Sequence, residues 1–96
     1  MTIVRIVRMH FSPETAATFL AIFEKNREAI RNFPGCTHLE LLRDHRSPDT
    51  YATLSHWNRV EDLEAYRNSE LFTGVWARVK PLFVARTEAV TYVKTL

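Results

Sequence analysis

Arg5 stands in a short stretch, Ile3 to Met9, where alternate residues share one side of the backbone, so its neighbours in space are Ile3, Val7 and Met9. A guanidinium on an apolar face is costly unless a carboxylate or an anionic ligand meets it. Arg5 is therefore a candidate anchor for an enolate or acidic substrate, the structural alternative being an ion pair with Glu40 or Glu88 on a neighbouring strand. His38 shares its strand face with Glu40, and histidine as a residue type can exchange a proton in the physiological range, which makes it a candidate base for a phenol. Tyr66 offers a phenol that can donate to a substrate oxygen, or can simply pack in a helix. Trp57, Phe72, Trp76 and Phe83 supply flat walls for an aromatic guest. Phe72, Trp76 and Val79 also have the helical spacing of ordinary core.

The remaining chemistry-bearing residues are less suggestive. His10 and His45 lie near strand ends, and His56 faces away from Trp57. Cys36 is the only cysteine, so no internal disulfide and no zinc-type cluster is expected. It fits no Cys-His-Asn arrangement and reads as a small, half-buried strand residue in a reducing, cytoplasmic setting. Glu61, Asp62 and Glu64 fall at a helix start, where acidic residues favour the positive helix end. With only Gly35 and Gly74 there is no phosphate-cradling loop.

These side chains need a scaffold, and 96 residues allow one domain, 1–96, with one hydrophobic core. Hydrophobic residues at 46% and charged residues at 25% describe a globular chain rather than a disordered one. The net charge of +2 arises from 13 Lys and Arg interleaved with 11 Asp and Glu, so no basic face invites nucleic acid. Arginines inside the apolar start argue against a signal or transit peptide, and no run approaches the roughly 20 apolar residues of a membrane span.

Residues 2–10 alternate as a strand. Ser12-Pro13-Glu14 opens a helix through Ala16, Phe19, Leu20, Phe23, Arg27 and Ile30, which Phe33-Pro34-Gly35 ends. Residues 36–44 and 50–57 read as hairpinned strands. Asn58 with Glu61 resembles a capping box, Ser69 recaps a second helical run through Phe72 and Trp76, and 86–95 is the last strand. The order β-α-β-β-α-β predicts an α+β, ferredoxin-like fold with a four-stranded antiparallel sheet.

Two helices cover one face of such a sheet, yet both faces are apolar. Val4 and Ile6 lie opposite Ile3 and Val7, Leu54 opposite Tyr51 and Trp57, and Val90 and Tyr92 opposite Ala89 and Val93. A soluble monomer seldom leaves so large an apolar face to water, so a homodimer formed through the sheet face is expected.

The strand-helix-strand order, the Phe33-Pro34-Gly35-Cys36 bend, Trp57 and the run Glu61-Asp62-Leu63, Tyr66, Ser69, Phe72 resemble the antibiotic-biosynthesis monooxygenase family. The resemblance implies a dimeric α/β barrel with a pocket between sheet and helices. It also implies oxidation of phenolic, anthrone-type or quinol substrates by molecular oxygen, without metal, flavin or other cofactor. In the heme-degrading branch an asparagine, a tryptophan and a helical histidine form the site; Arg5, Trp57 and Trp76 stand at the matching positions, so the iron ligand is missing. In the polyketide-oxidising branch, an asparagine and a tyrosine flank the tryptophan where this chain has Thr53 and Leu63. Many members have a histidine at the position of Tyr66.

The leading expectation is a cofactor-independent monooxygenase for a small aromatic or quinol-like substrate. Arg5, His38 and Tyr66 would polarise or deprotonate it between walls of Trp57, Phe72, Trp76 and Phe83, with no metal site. Two alternatives stand beside it: an isomerase or degrading enzyme for a small polar signal molecule, and a non-catalytic dimeric ligand-binding or stress-response module. A polar pocket rich in Arg and His would favour the first. An occluded one, with Arg5 paired internally, would favour the second.

Overall fold

The computed structural model describes residues 1–96. Strand β1 (Ile3–His10) leads through a capped turn into α1 (Pro13–Arg31), followed by β2 (Cys36–Arg43), β3 (Thr50–Trp57), α2 (Val60–Arg67), α3 (Glu70–Val79), a 3-10 turn (Lys80–Leu82) and β4 (Glu88–Val93). The sheet order is β2-β3-β1-β4, with every neighbouring pair antiparallel. This is the expected α+β, ferredoxin-like arrangement, its last strand shorter at both ends than the 86–95 read from the sequence.

Local chemistry explains the boundaries. Ser12 caps α1 by accepting from the Thr15 backbone N–H, and the Thr15 hydroxyl accepts in return from Ser12 N–H at 2.8 Å. Ser69 caps α3 through the Phe72 N–H at 3.1 Å. The capping box expected at Asn58 and Glu61 does not form. Asn58 instead gives its N–H to the Gly35 carbonyl at 2.9 Å, and α2 begins one residue later, with Arg59 as an N-cap that makes no side-chain bond. Gly35 has φ +89°, and a Cβ there would overlap Asp62 Cβ and Cγ, so this bend admits only glycine.

The pairing register assigns the faces. Arg5 lies between Ser55 of β3 and Thr91 of β4, on the side that also carries Ile3, Val7, Met9 and Trp57. The helices cover this side: Ile3 and Trp57 are wholly buried and Met9 nearly so. α1 packs on β2 and α3, and α2 packs on β3, whereas all six residues of β4 remain exposed.

Beneath the helices the core divides in two. One cluster holds Met9, Phe11, Phe19, Tyr51 and Val79; the other holds Ile3, Cys36, Trp57 and Leu63. The space between them is a cavity. The opposite face of the sheet carries Val4, Ile6, Leu54, Val90 and Tyr92, with the last two about half exposed, so the apolar groups predicted there from alternation are present, with Arg8, His38, Glu40, His56 and Glu88 on the same face.

Candidate active site

The cavity measures about 380 Å³, within the range of small-molecule sites. Fourteen of its 19 lining residues are hydrophobic, and the five polar ones are Arg5, Thr53, Ser55, Arg67 and Thr87. No carboxylate and no imidazole belongs to the lining.

One wall is a continuous series of rings. Trp57 stacks on Tyr66 with centroids 5.1 Å apart, Tyr66 meets Phe72 edge-on at 5.2 Å, and Phe72 stacks on Trp76 at 5.7 Å. Trp57 ends β3, Tyr66 sits in the last turn of α2, and Phe72 and Trp76 are one helical turn apart on α3. The rings therefore join three elements. Helix α3 turns these residues inward because its apolar side must face the sheet. Trp57 forms the buried end of the series, its Nε1 donating to Ser55 Oγ at 2.9 Å.

Arg5 is the charged group of the opposite wall. Its Nη1 donates to Thr91 Oγ1 at 2.7 Å across the β1–β4 pair, and no carboxylate lies in ion-pair contact. The two acids considered as partners face the other side of the sheet: Glu40 lies 3.5 Å from His38 Nε2, and Glu88 lies 2.8 Å from His10 Nε2 and 3.7 Å from Arg8. Burial, the nearby Arg67 charge and a weaker opposing pull from Glu64 leave the Arg5 pKa below its ordinary value. The one ion pair Arg67 makes is with Glu64, at 3.5 Å on an exposed surface. Burial pushes the Tyr66 phenol well above its usual range, with the neighbouring Cys36 adding to the effect, so the hydroxyl stays protonated at physiological pH.

Five of the seven candidates from the sequence line this cavity: Arg5, Trp57, Tyr66, Phe72 and Trp76. Two do not. His38 pairs with His56 across β2 and β3, their rings 5.0 Å apart on the face opposite the helices. A bulge between Cys36 and His38 causes this, because Cys36 pairs with Trp57 on the inner face and the extra residue turns His38 outward. Phe83 lies behind the wall, 5.4 Å from Trp76 and 5.6 Å from Phe11, where it belongs to the core. Sequence reasoning does not single out Arg67, Thr91, Ser55 or Thr87. Ser55 was legible as the residue two before Trp57 on the same face, and Arg67 as the neighbour of Tyr66 at a helix end.

No group of three or more His, Cys, Asp or Glu is placed to hold a metal ion, and no helix is long and apolar enough to cross a membrane. The family model described as antibiotic biosynthesis monooxygenase matches residues 2–77. The chain belongs to the antibiotic biosynthesis monooxygenase family. All five ring and arginine residues just described fall inside the matched span, whereas Thr87, Ala89 and Thr91 at the β4 side lie beyond it.

Solved structures show the same fold. A conserved protein from Methanosarcina mazei Go1 superposes with a TM-score of 0.93 at 18% identity, covering 99% of this chain and 94% of that one. Rv0793 from Mycobacterium tuberculosis gives 0.90 at 15% identity, with 99% and 96% covered. A point mutant of SnoaB, a cofactor-independent oxygenase from Streptomyces nogalater, gives 0.86 at 15% identity, with 99% and 94% covered. At these identities the likeness is one of fold. No curated protein matches the sequence.

Proposed function

We propose that this member of the family is a cofactor-independent monooxygenase acting on a small, flat aromatic or quinol-like substrate held in the cavity. The observation that carries the reading is the pairing of a ring-lined apolar cavity with an arginine that has no carboxylate partner. Triplet oxygen reacts slowly with closed-shell molecules, whereas an electron-rich enolate or phenolate can pass it one electron. The protein's contribution is then to favour the anion and keep water away.

In this reading Arg5 holds the substrate oxygen that carries the negative charge. Phe72 and Trp76 form the wall that the ring plane lies against, and Trp57 closes the buried end behind Tyr66. The substrate carbanion and oxygen form a radical pair that recombines to a peroxide. With one proton this gives a hydroperoxide, and loss of water leaves a carbonyl: a CH₂ group and O₂ become C=O and H₂O. Tyr66, kept protonated by burial, is suited to donate a hydrogen bond to the peroxide or substrate oxygen. His38 has no part in this step.

The same proposal includes a homodimer through the outer sheet face, where Leu42 and Val90 at 44% and Tyr92 at 54% exposure leave apolar area to be covered. A reducing cytoplasm suits the free Cys36. The mostly apolar lining, without histidine, gives less support to an enzyme for a polar signal molecule. An open cavity with Arg5 bonded only to a hydroxyl gives less support to an occluded, non-catalytic module.

Oxygen uptake by the purified protein in chelator, across a panel of anthrones, quinols and catechols, tests the reading. Uptake above the protein-free rate that falls with Trp76→Ala supports it. Uptake at the protein-free rate throughout the panel counts against it.

A further inference from the structure

The polar groups of the cavity are unbalanced in charge. Arg5 and Arg67 both line it, each close enough to the other for the second cation to lower the first one's pKa, and no acidic residue lines it. Glu64 partly offsets Arg67, at 3.5 Å, but both side chains sit at the exposed surface of α2. Arg5 spends one N–H on the Thr91 hydroxyl, leaving the rest of its five-donor fork uncommitted to any side chain. Thr87, also in the lining, has a buried hydroxyl with no hydrogen-bond partner. A partly buried arginine facing a second arginine without an acid is an arrangement that an anion in the cavity would favour.

A second observation points the same way. His38, Glu40 and Glu88 lie on the far side of the sheet, and no histidine or carboxylate borders the cavity. Tyr66 keeps its proton. A neutral phenol or enol would enter a site with two cations to stabilise its anion and no general base to make it.

Resting on the reading proposed above, we infer that the cavity selects a planar aromatic ligand that arrives already anionic, an acidic enol for which an aromatic carboxylate is an unreactive stand-in, with its charge docked between Arg5 and Arg67 while its rings lie against Phe72 and Trp76. The guanidinium fork of Arg5 suits a planar carboxylate or enolate, and the ring series suits the attached aromatic system. Selectivity for charge, rather than for a particular ring, is the property assigned.

Binding without turnover tests this. Quenching of tryptophan fluorescence is followed under anaerobic conditions as 2-naphthoate or its neutral isostere 2-naphthamide is added. Charge-assisted hydrogen bonds make naphthoate bind about tenfold to a hundredfold more tightly. In Arg5→Met the preference falls to about twofold or less while the affinity for the amide is kept, and in Arg67→Met it falls by a smaller factor. Arg5→Lys, which keeps the charge but not the fork, retains part of it. Circular dichroism verifies that each variant is folded, and Arg67→Met, on the helix surface, carries the test if Arg5→Met does not fold. Equal affinities, a preference that survives both methionine variants, or no binding of either ligand to the folded protein would each overturn the inference. Catalysed oxygen uptake with neutral quinols, alongside equal naphthoate and naphthamide affinities, would leave the monooxygenase standing and remove only the anion selectivity.

Discussion

The Trp57 indole N–H donates to Ser55 Oγ at 2.9 Å, with both residues buried on the same face of β3. The donor of the deepest ring in the cavity is therefore committed to the scaffold and is not free to bind an oxyanion. Ser55→Ala removes its acceptor and leaves a buried N–H unsatisfied, at a cost of about 1–3 kcal/mol. Urea unfolding should show a lower midpoint with an unchanged slope, and the ring wall should still bind aromatic ligands. An unchanged midpoint would mean that the indole finds another acceptor.

Arg5 gives the opposite pattern. It is a partly desolvated cation without a carboxylate, so Arg5→Met removes an electrostatic cost while keeping an unbranched chain in the same space. With solvent screening of the charge and the lost Thr91 hydrogen bond set against that relief, the variant is expected to stay within about 1 kcal/mol of the parent. Its turnover is expected to fall at least about tenfold, the loss of a charged hydrogen bond to substrate. A thermal melt paired with an activity assay separates the roles: strong destabilisation would make Arg5 a structural residue.

Tyr66 should make the protein sensitive to alkali. Burial raises its folded-state pKa, so the folded chain holds the phenolic proton where the unfolded chain, titrating near about 10, has lost it. That stabilisation is complete below about pH 10 and declines as the pH rises above it. Tyr66→Phe has no such proton, and its stability should fall less steeply between about pH 10 and 12. Parallel curves for the two proteins would show that the phenol is not held neutral by the fold.

The elements were legible because caps and alternation are local. Ser12, Ser69 and the Phe33-Pro34-Gly35 stop each act within a few residues, and period two put Arg5 with Ile3, Val7 and Met9. The ring series was readable for the same reason, since Phe72 and Trp76 are one helical turn apart. His38 was not, because the bulge beside Cys36 reverses the face of everything that follows, and nothing in Cys36-Thr37-His38 announces it. The partner of Arg5 was equally hidden. Thr91 is 86 residues away, and only the β1–β4 register brings it to 2.7 Å.

The outer sheet face predicts assembly. Leu54 sits at the middle of that face, opposite Ile6 of β1 and Glu40 of β2. Light scattering after gel filtration is expected to give roughly twice the 11.2 kDa chain mass. Leu54→Glu, which places a charge inside the proposed contact, should shift the protein to the single-chain mass. A parent protein that already runs at the single-chain mass would remove the dimer from the proposal.

The central claim is oxygen transfer by the protein and its bound substrate alone, and ¹⁸O₂ labelling addresses it most directly. The purified chain, held in excess chelator with an anthrone from the uptake panel, is given ¹⁸O₂ and the product is read by mass spectrometry. A cofactor-independent monooxygenase places one ¹⁸O atom at the oxidised carbon per turnover, releases the other as water, and loses this reaction in Arg5→Met. Product carrying no label, or label only at the protein-free rate, would contradict the assignment.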